Sequence, residues 1–223
     1  MRFNTTVLSQ RDGVVSSTYS VLRNTYLLLS MTLLFSAGIS WLAVVQNAGF
    51  GSSIAAFIGA FICLFATTAL RNSAWGILGV FAFTGCMGYS MGPLLNHFIH
   101  GYANGGQLIM TALGSTGVIF FGCSAYVLTT KKDLSHWGKF LMIGLIVMIV
   151  ASLANIFFKM PAMQLAISSI LTLISAMLMM YDTSRILHSG ENNYIMATIS
   201  LFIDIQMLFQ NLLMLLGVFN SKE

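Results

Sequence analysis

An all-α integral membrane protein with seven transmembrane helices, the seventh central and wrapped by the other six, is the fold the sequence predicts. Hydrophobic residues make up 57% of the 223 residues, charged residues only 7%, and the mean hydropathy is +0.85. A soluble domain is about 45–50% apolar and about 25% charged. Stretches free of Asp, Glu, Lys and Arg separate Arg23 from Arg71 (47 residues) and Arg71 from Lys131 (59 residues). One crossing takes about 20 residues, so each stretch holds two. The last apolar run carries Ser200, Asp204 and Asn211 on one side and Gln206 and Gln210 on the other. A helix that is polar on both sides cannot face lipid, so it is expected to sit inside the bundle.

The elements follow in order. Residues 1–23 are polar, carry Arg2, Arg11 and Arg23, and lack the apolar core and cleavage site of a signal peptide. They read as a retained tail. The spans are expected near 24–45, 53–70, 74–96, 107–130, 138–158, 162–185 and 194–217, giving one membrane domain over 24–217 and a short tail over 218–223. The breaks QNAGFGSS at 46–53 and NHFIHGYANGGQ at 96–107 divide the two long uncharged stretches. Span three holds Gly85, Gly88, Gly92 and Pro93. Small residues allow close helix approach, and proline bends or ends a helix. Span six carries a stripe of Ser168, Thr172, Ser175, Asp182 and Arg185 on one half of the helix.

Orientation comes from Lys and Arg, which collect in cytoplasmic loops. Arg2, Arg11, Arg23, Arg71, Lys131, Lys132, Lys139 and Arg185 fall on one side, and Lys159 and Lys222 on the other. The N-terminus is therefore expected in the cytoplasm and the C-terminus outside, in the periplasm for a bacterial inner membrane. Trp41, Trp75 and Trp137 fall near span ends, as interfacial indoles do. The formal charge of +4 fits this bias and an attraction to anionic lipid, and it calls for no nucleic acid. Cys63, Cys86 and Cys123 lie within spans and read as packing residues. His97 and His100 have a spacing that could hold a metal, but no third ligand is in view, so no firm metal site or cofactor is expected.

Asp182 and Asp204 stand out because both lie inside long apolar runs, on neighbouring spans. Ionised carboxylates in hydrocarbon cost several kcal/mol, so such residues are usually buried in protein or beside a water path. If they meet, they share a proton and titrate as a pair. Arg185, three residues after Asp182, could instead act as its counter-ion. Two carboxylates are far short of a calcium cage and support weak, transient cation binding at most.

Several segments carry a family resemblance: VLRNTYLLLSMTL at 21–33, AFTGCMGYSMGPLL at 82–95, CSAYVLTTKKDLS at 123–135, ANIFF at 154–158 and GENNYIMATISLF at 190–202. Together they resemble the Bax inhibitor superfamily, and its bacterial YccA-like branch in particular. The resemblance implies seven helices with the last one central. It implies a pH-responsive aspartate pair, at Asp182 and Asp204 here, in members that leak calcium. For the YccA-like branch it implies a non-enzymatic modulator of FtsH, a membrane-anchored AAA protease. A pH-sensitive cation leak is the alternative. An intramembrane aspartyl protease is a remote third. Tyr181-Asp182 fits half of that signature, but Leu201-Phe202-Ile203-Asp204 lacks both glycines of the other half.

Overall fold

The computed structural model describes the backbone of residues 3–188 and 193–220, with side chains from residue 19 onward. It contains α1 (Phe3–Val45), α2 (Phe50–Leu70), α3 (Trp75–Ser90), α4 (Gly92–Gly101), α5 (Gly105–Thr130), α6 (Gly138–Phe158), α7 (Pro161–His188) and α8 (Tyr194–Asn220). A single 3₁₀ turn, Ser135–Trp137, precedes α6. Seven segments are long and apolar enough to cross a bilayer, and each matches an expected span. The chain is an all-helical, multi-pass membrane protein. Arg2, Glu191 and Lys222 lie outside the described residues.

Two boundaries differ from the sequence reading. The expected polar tail is helical from Phe3 onward and runs without interruption into the first span. The expected break at 96–107 is much shorter, because α4 continues to Gly101 and α5 starts at Gly105. His97 and His100 therefore sit on a helix rather than in a loop, and the ring of His97 stands edge-on to Phe98 and Tyr102. Span three is two helices. The break falls at Met91, and Pro93 follows in the first turn of α4, where its missing N–H would be unpaired in any case.

Glycine explains why α1 and α3 lie so close. A Cβ on Gly88 would stand 2.5 Å from the Ser36 carbonyl oxygen, and one on Gly92 would stand 2.9 Å from the Ala43 Cβ. Ser40 Oγ donates to the Gly88 carbonyl at 2.8 Å, a bond that only this closeness permits. The glycines thus trade side-chain volume for backbone contact in a setting where helices gain little from hydrophobic association.

The seventh span, α8, is the most buried, with half of its most apolar stretch inside the protein. It packs against α1, α3, α5 and α7. Its Phe202, Leu201 and Leu208 join Leu29, Val80 and Met179 in the main core. On the remaining side, α2 and α6 face α8 across an apolar cleft of about 700 Å³. The outer helices expose large apolar side chains to the bilayer, among them Phe65 on α2 and Phe157 on α6. Trp41, Trp75 and Trp137 are exposed near helix ends.

Candidate functional site

The long antiparallel contact between α7 and α8 positions the site. Asp182 stands six residues before the end of α7, and Asp204 ten residues after the start of α8. At 1.5 Å per residue the mismatch is about 6 Å. The two carboxyls meet nevertheless, within side-chain hydrogen-bonding reach. Both residues are buried, at 8% and 4% exposure. A hydrogen bond between two carboxyls needs a proton on one of them.

Arg185 joins the same cluster. Its Nη1 lies 3.5 Å from Asp182 Oδ1, one helical turn along α7. Its Nη2 donates to Ser200 Oγ on α8 at 3.4 Å. Ser200 is four residues before Asp204, on the same helix face. The two arrangements left open by the sequence therefore occur together: Asp182 faces Asp204 on one side and Arg185 on the other. Asp204 Oδ2 is buried without a hydrogen-bond partner among the described residues. Arg185 keeps partial access to solvent, at 29% of its side chain. The guanidinium thus links Asp182 on α7 to Ser200 on α8.

The hydroxyl stripe of α7 is less informative than the aspartate. Thr172 and Ser175 donate to carbonyls one turn back in their own helix, which needs no ligand. Ser184 is a residue that sequence reasoning passed over. Its hydroxyl accepts the Leu134 N–H at 3.0 Å and donates to the Lys132 carbonyl at 3.1 Å. It thereby fixes the loop between α5 and α6 onto α7, two residues from Asp182. The only sequence signal was its place two residues after Asp182. In that loop, hydrogen bonds from Ser135 hold the exposed Asp133 carboxyl below the usual carboxylate range. His188 is exposed and sets Nδ1 3.1 Å from the Ser184 carbonyl.

The other candidates are placed more plainly. Cys63, Cys86 and Cys123 are free thiols packed against the main core. Among the described residues, no three His, Cys, Asp or Glu side chains gather where a metal could sit. Gln206 donates to the Met87 carbonyl on α3 at 3.2 Å, and Asn211, expected on the aspartate side of α8, lines the same cleft as Gln206 and Gln210.

Comparison with known proteins places the chain in a family. The sequence model of the family described as inhibitor of apoptosis-promoting Bax1 matches residues 18–221. The Escherichia coli K12 protein named modulator of FtsH protease YccA is 45% identical over 207 residues, which cover 93% of this chain and 93% of that protein. An uncharacterised Pseudomonas aeruginosa protein is 43% identical over 222 residues, covering 100% of this chain and 97% of its own length. An uncharacterised membrane protein of Vibrio cholerae is 44% identical over 211 residues, covering 92% of each. A family match along nearly the whole chain, on a seven-span bundle, makes this protein a member of the Bax inhibitor family.

Proposed function

We propose that this protein acts without catalysis as a modulator of a membrane-anchored AAA protease of the FtsH type, in a bacterial inner membrane. The observation that carries this reading is the likeness to YccA of Escherichia coli, at 45% identity over 93% of both chains. The protein should copurify with FtsH from mild detergent. Its overproduction should lengthen the half-life of a membrane substrate of the protease severalfold in a pulse-chase. An unchanged half-life at high expression removes this reading.

A second reading rests on the site itself: a pH-sensitive leak for calcium or another cation, gated by Asp182 and Asp204 with Arg185 as counter-ion. Its support is the buried carboxyl pair and its ion pair to Arg185. One shared proton lets the carboxyls hold α7 and α8 together. Loss of that proton replaces a hydrogen bond with repulsion. The cation would pass as a weakly held, transient ligand. The two readings are compatible in one molecule.

Both readings use the same orientation, with the N-terminus in the cytoplasm and the C-terminus in the periplasm. A reporter fused after the last residue should behave as periplasmic, active as alkaline phosphatase and dark as a cytoplasm-restricted fluorescent protein. The opposite pattern would reverse every assignment of loops to sides.

A further inference from the structure

The bundle is not closed all the way round. The α2 helix packs chiefly on α3, and α6 chiefly on α7, which leaves a lateral gap between them that leads to α8. This gap is the cleft of about 700 Å³. Its walls are apolar: Phe57 and Phe61 on α2 stand edge to face with ring centres 5.1 Å apart, and Leu153 and Ile156 line the α6 side.

The floor has a different chemistry. It carries three carboxamides of α8, those of Gln206, Gln210 and Asn211. One N–H of each is already engaged. Gln206 Nε2 donates to the Met87 carbonyl, Gln210 Nε2 to the Met91 sulfur and Asn211 Nδ2 to the Met207 carbonyl. Their oxygens are not. Gln206 is more than nine-tenths buried, and its Oε1 has no hydrogen-bond partner among the described residues. No hydrogen bond reaches the side-chain oxygens of Gln210 or Asn211 among those residues either. The cleft therefore offers the carboxamide oxygens of Gln210 and Asn211 at membrane depth, framed by apolar walls, while Gln206 Oε1 is buried beneath them.

We propose that this cleft docks one transmembrane helix of the protease, a helix that brings hydrogen-bond donors such as Ser, Thr, Asn or Gln to mid-membrane depth. The proposal rests on the modulator reading and gives it a surface. A lipid acyl chain would fill the volume but leave the amide oxygens facing hydrocarbon, where an unsatisfied polar group is unfavourable. A helix is about 10–12 Å across with its side chains, too wide for the cleft to take in whole. It would lie in the gap between α2 and α6 and insert one face. Interhelical hydrogen bonds from small polar residues hold transmembrane helices together in this way.

The test is photocrosslinking in a defined membrane. The chain carries benzoylphenylalanine at Leu153, on the cleft wall, or at Phe121, exposed on α5 outside the cleft. Each is reconstituted with purified FtsH in vesicles of phosphatidylethanolamine and phosphatidylglycerol, irradiated, and its adducts are mapped by mass spectrometry. The expected result is an adduct from Leu153 to a transmembrane segment of FtsH, and none from Phe121. The double substitution Gln210→Leu and Asn211→Leu should lower that adduct about tenfold, as loss of two interhelical hydrogen bonds implies. Adducts only to lipid, or none at Leu153, while the two proteins still copurify, overturn the docking site and leave the modulator reading standing. Absence of both copurification and adduct overturns both. An adduct undiminished by the double substitution overturns the proposal that the amides recognise the helix.

Discussion

In detergent, Gly88→Val is expected to unfold roughly 5–10 °C below the parent protein. The reason is the crossing of α1 and α3. A Cβ at Gly88 would meet the Ser36 carbonyl oxygen at 2.5 Å, Ser36 Oγ at 2.6 Å and the Ser36 carbonyl carbon at 3.1 Å. Two of these are backbone atoms inside a helix, which cannot swing aside as the end of a side chain can. The helices must separate, which also breaks the bond from Ser40 to the Gly88 carbonyl. Overpacking of this kind typically costs about 1–3 kcal/mol, and the lost hydrogen bond adds to it. Gly117→Ala on α5 is the matched control, since nothing lies within 4 Å of its new Cβ. Alanine there should be neutral or slightly stabilising, because it is the better helix former. Equal unfolding temperatures for Gly88→Val and the parent would mean that the close crossing is not a constraint.

The second large effect concerns the carboxyl pair. Asp182→Asn and Asp204→Asn keep size and hydrogen-bonding capacity but remove titration. If the pair gates a leak, either change alone should abolish the pH dependence of calcium flux into proteoliposomes between about pH 5 and pH 8. The double substitution should add little, because both residues act through one switch. The two single variants should still differ in stability. Asp182→Asn takes the carboxylate from Arg185, whose guanidinium lies 3.5 Å away, whereas Asp204→Asn leaves that ion pair in place. Asp182→Asn should therefore be the less stable of the two. Parent protein with no flux above empty vesicles at any pH would remove the leak reading. Flux that keeps its full pH response in Asp204→Asn would make the pair structural.

Much of this could be read from the residues. The spans were legible because hydropathy and the bilayer thickness impose one length scale on every crossing. The pairing of Asp182 with Asp204 was legible because two carboxyls on consecutive apolar helices have few places to go other than to each other. The continuation of α4 to Gly101 was not. The segment NHFIHG is polar enough to resemble a loop, yet Phe98 is buried against Leu213 of α8, and that packing holds the helix. The double role of Arg185 was not legible either. Spacing within α7 indicated its reach to Asp182, but its bond to Ser200 depends on how α7 and α8 are rotated against each other. The lateral cleft was the least legible feature. The α2 and α6 sequences are apolar on nearly every side, so nothing in them says which helix each one lacks as a neighbour.

The depth of α8 also sets a timetable. The α8 helix, which follows the other six spans in chain order, supplies Ile195, Ile199, Leu201, Phe202, Ile205 and Leu208 to the main core. It also supplies the partners for Arg185 and Asp182. Until α8 enters the membrane, Asp182 has Arg185 on its own helix but not Asp204, and the faces of α1, α3, α5 and α7 that pack on α8 lack that neighbour. At about 5–20 residues per second, the chain spends seconds in that condition on every round of synthesis. The main core is therefore complete only once α8 has been inserted. A chain that stalls before residue 194 has Asp182 and Arg185 but neither Asp204 nor the α8 side chains that fill the core.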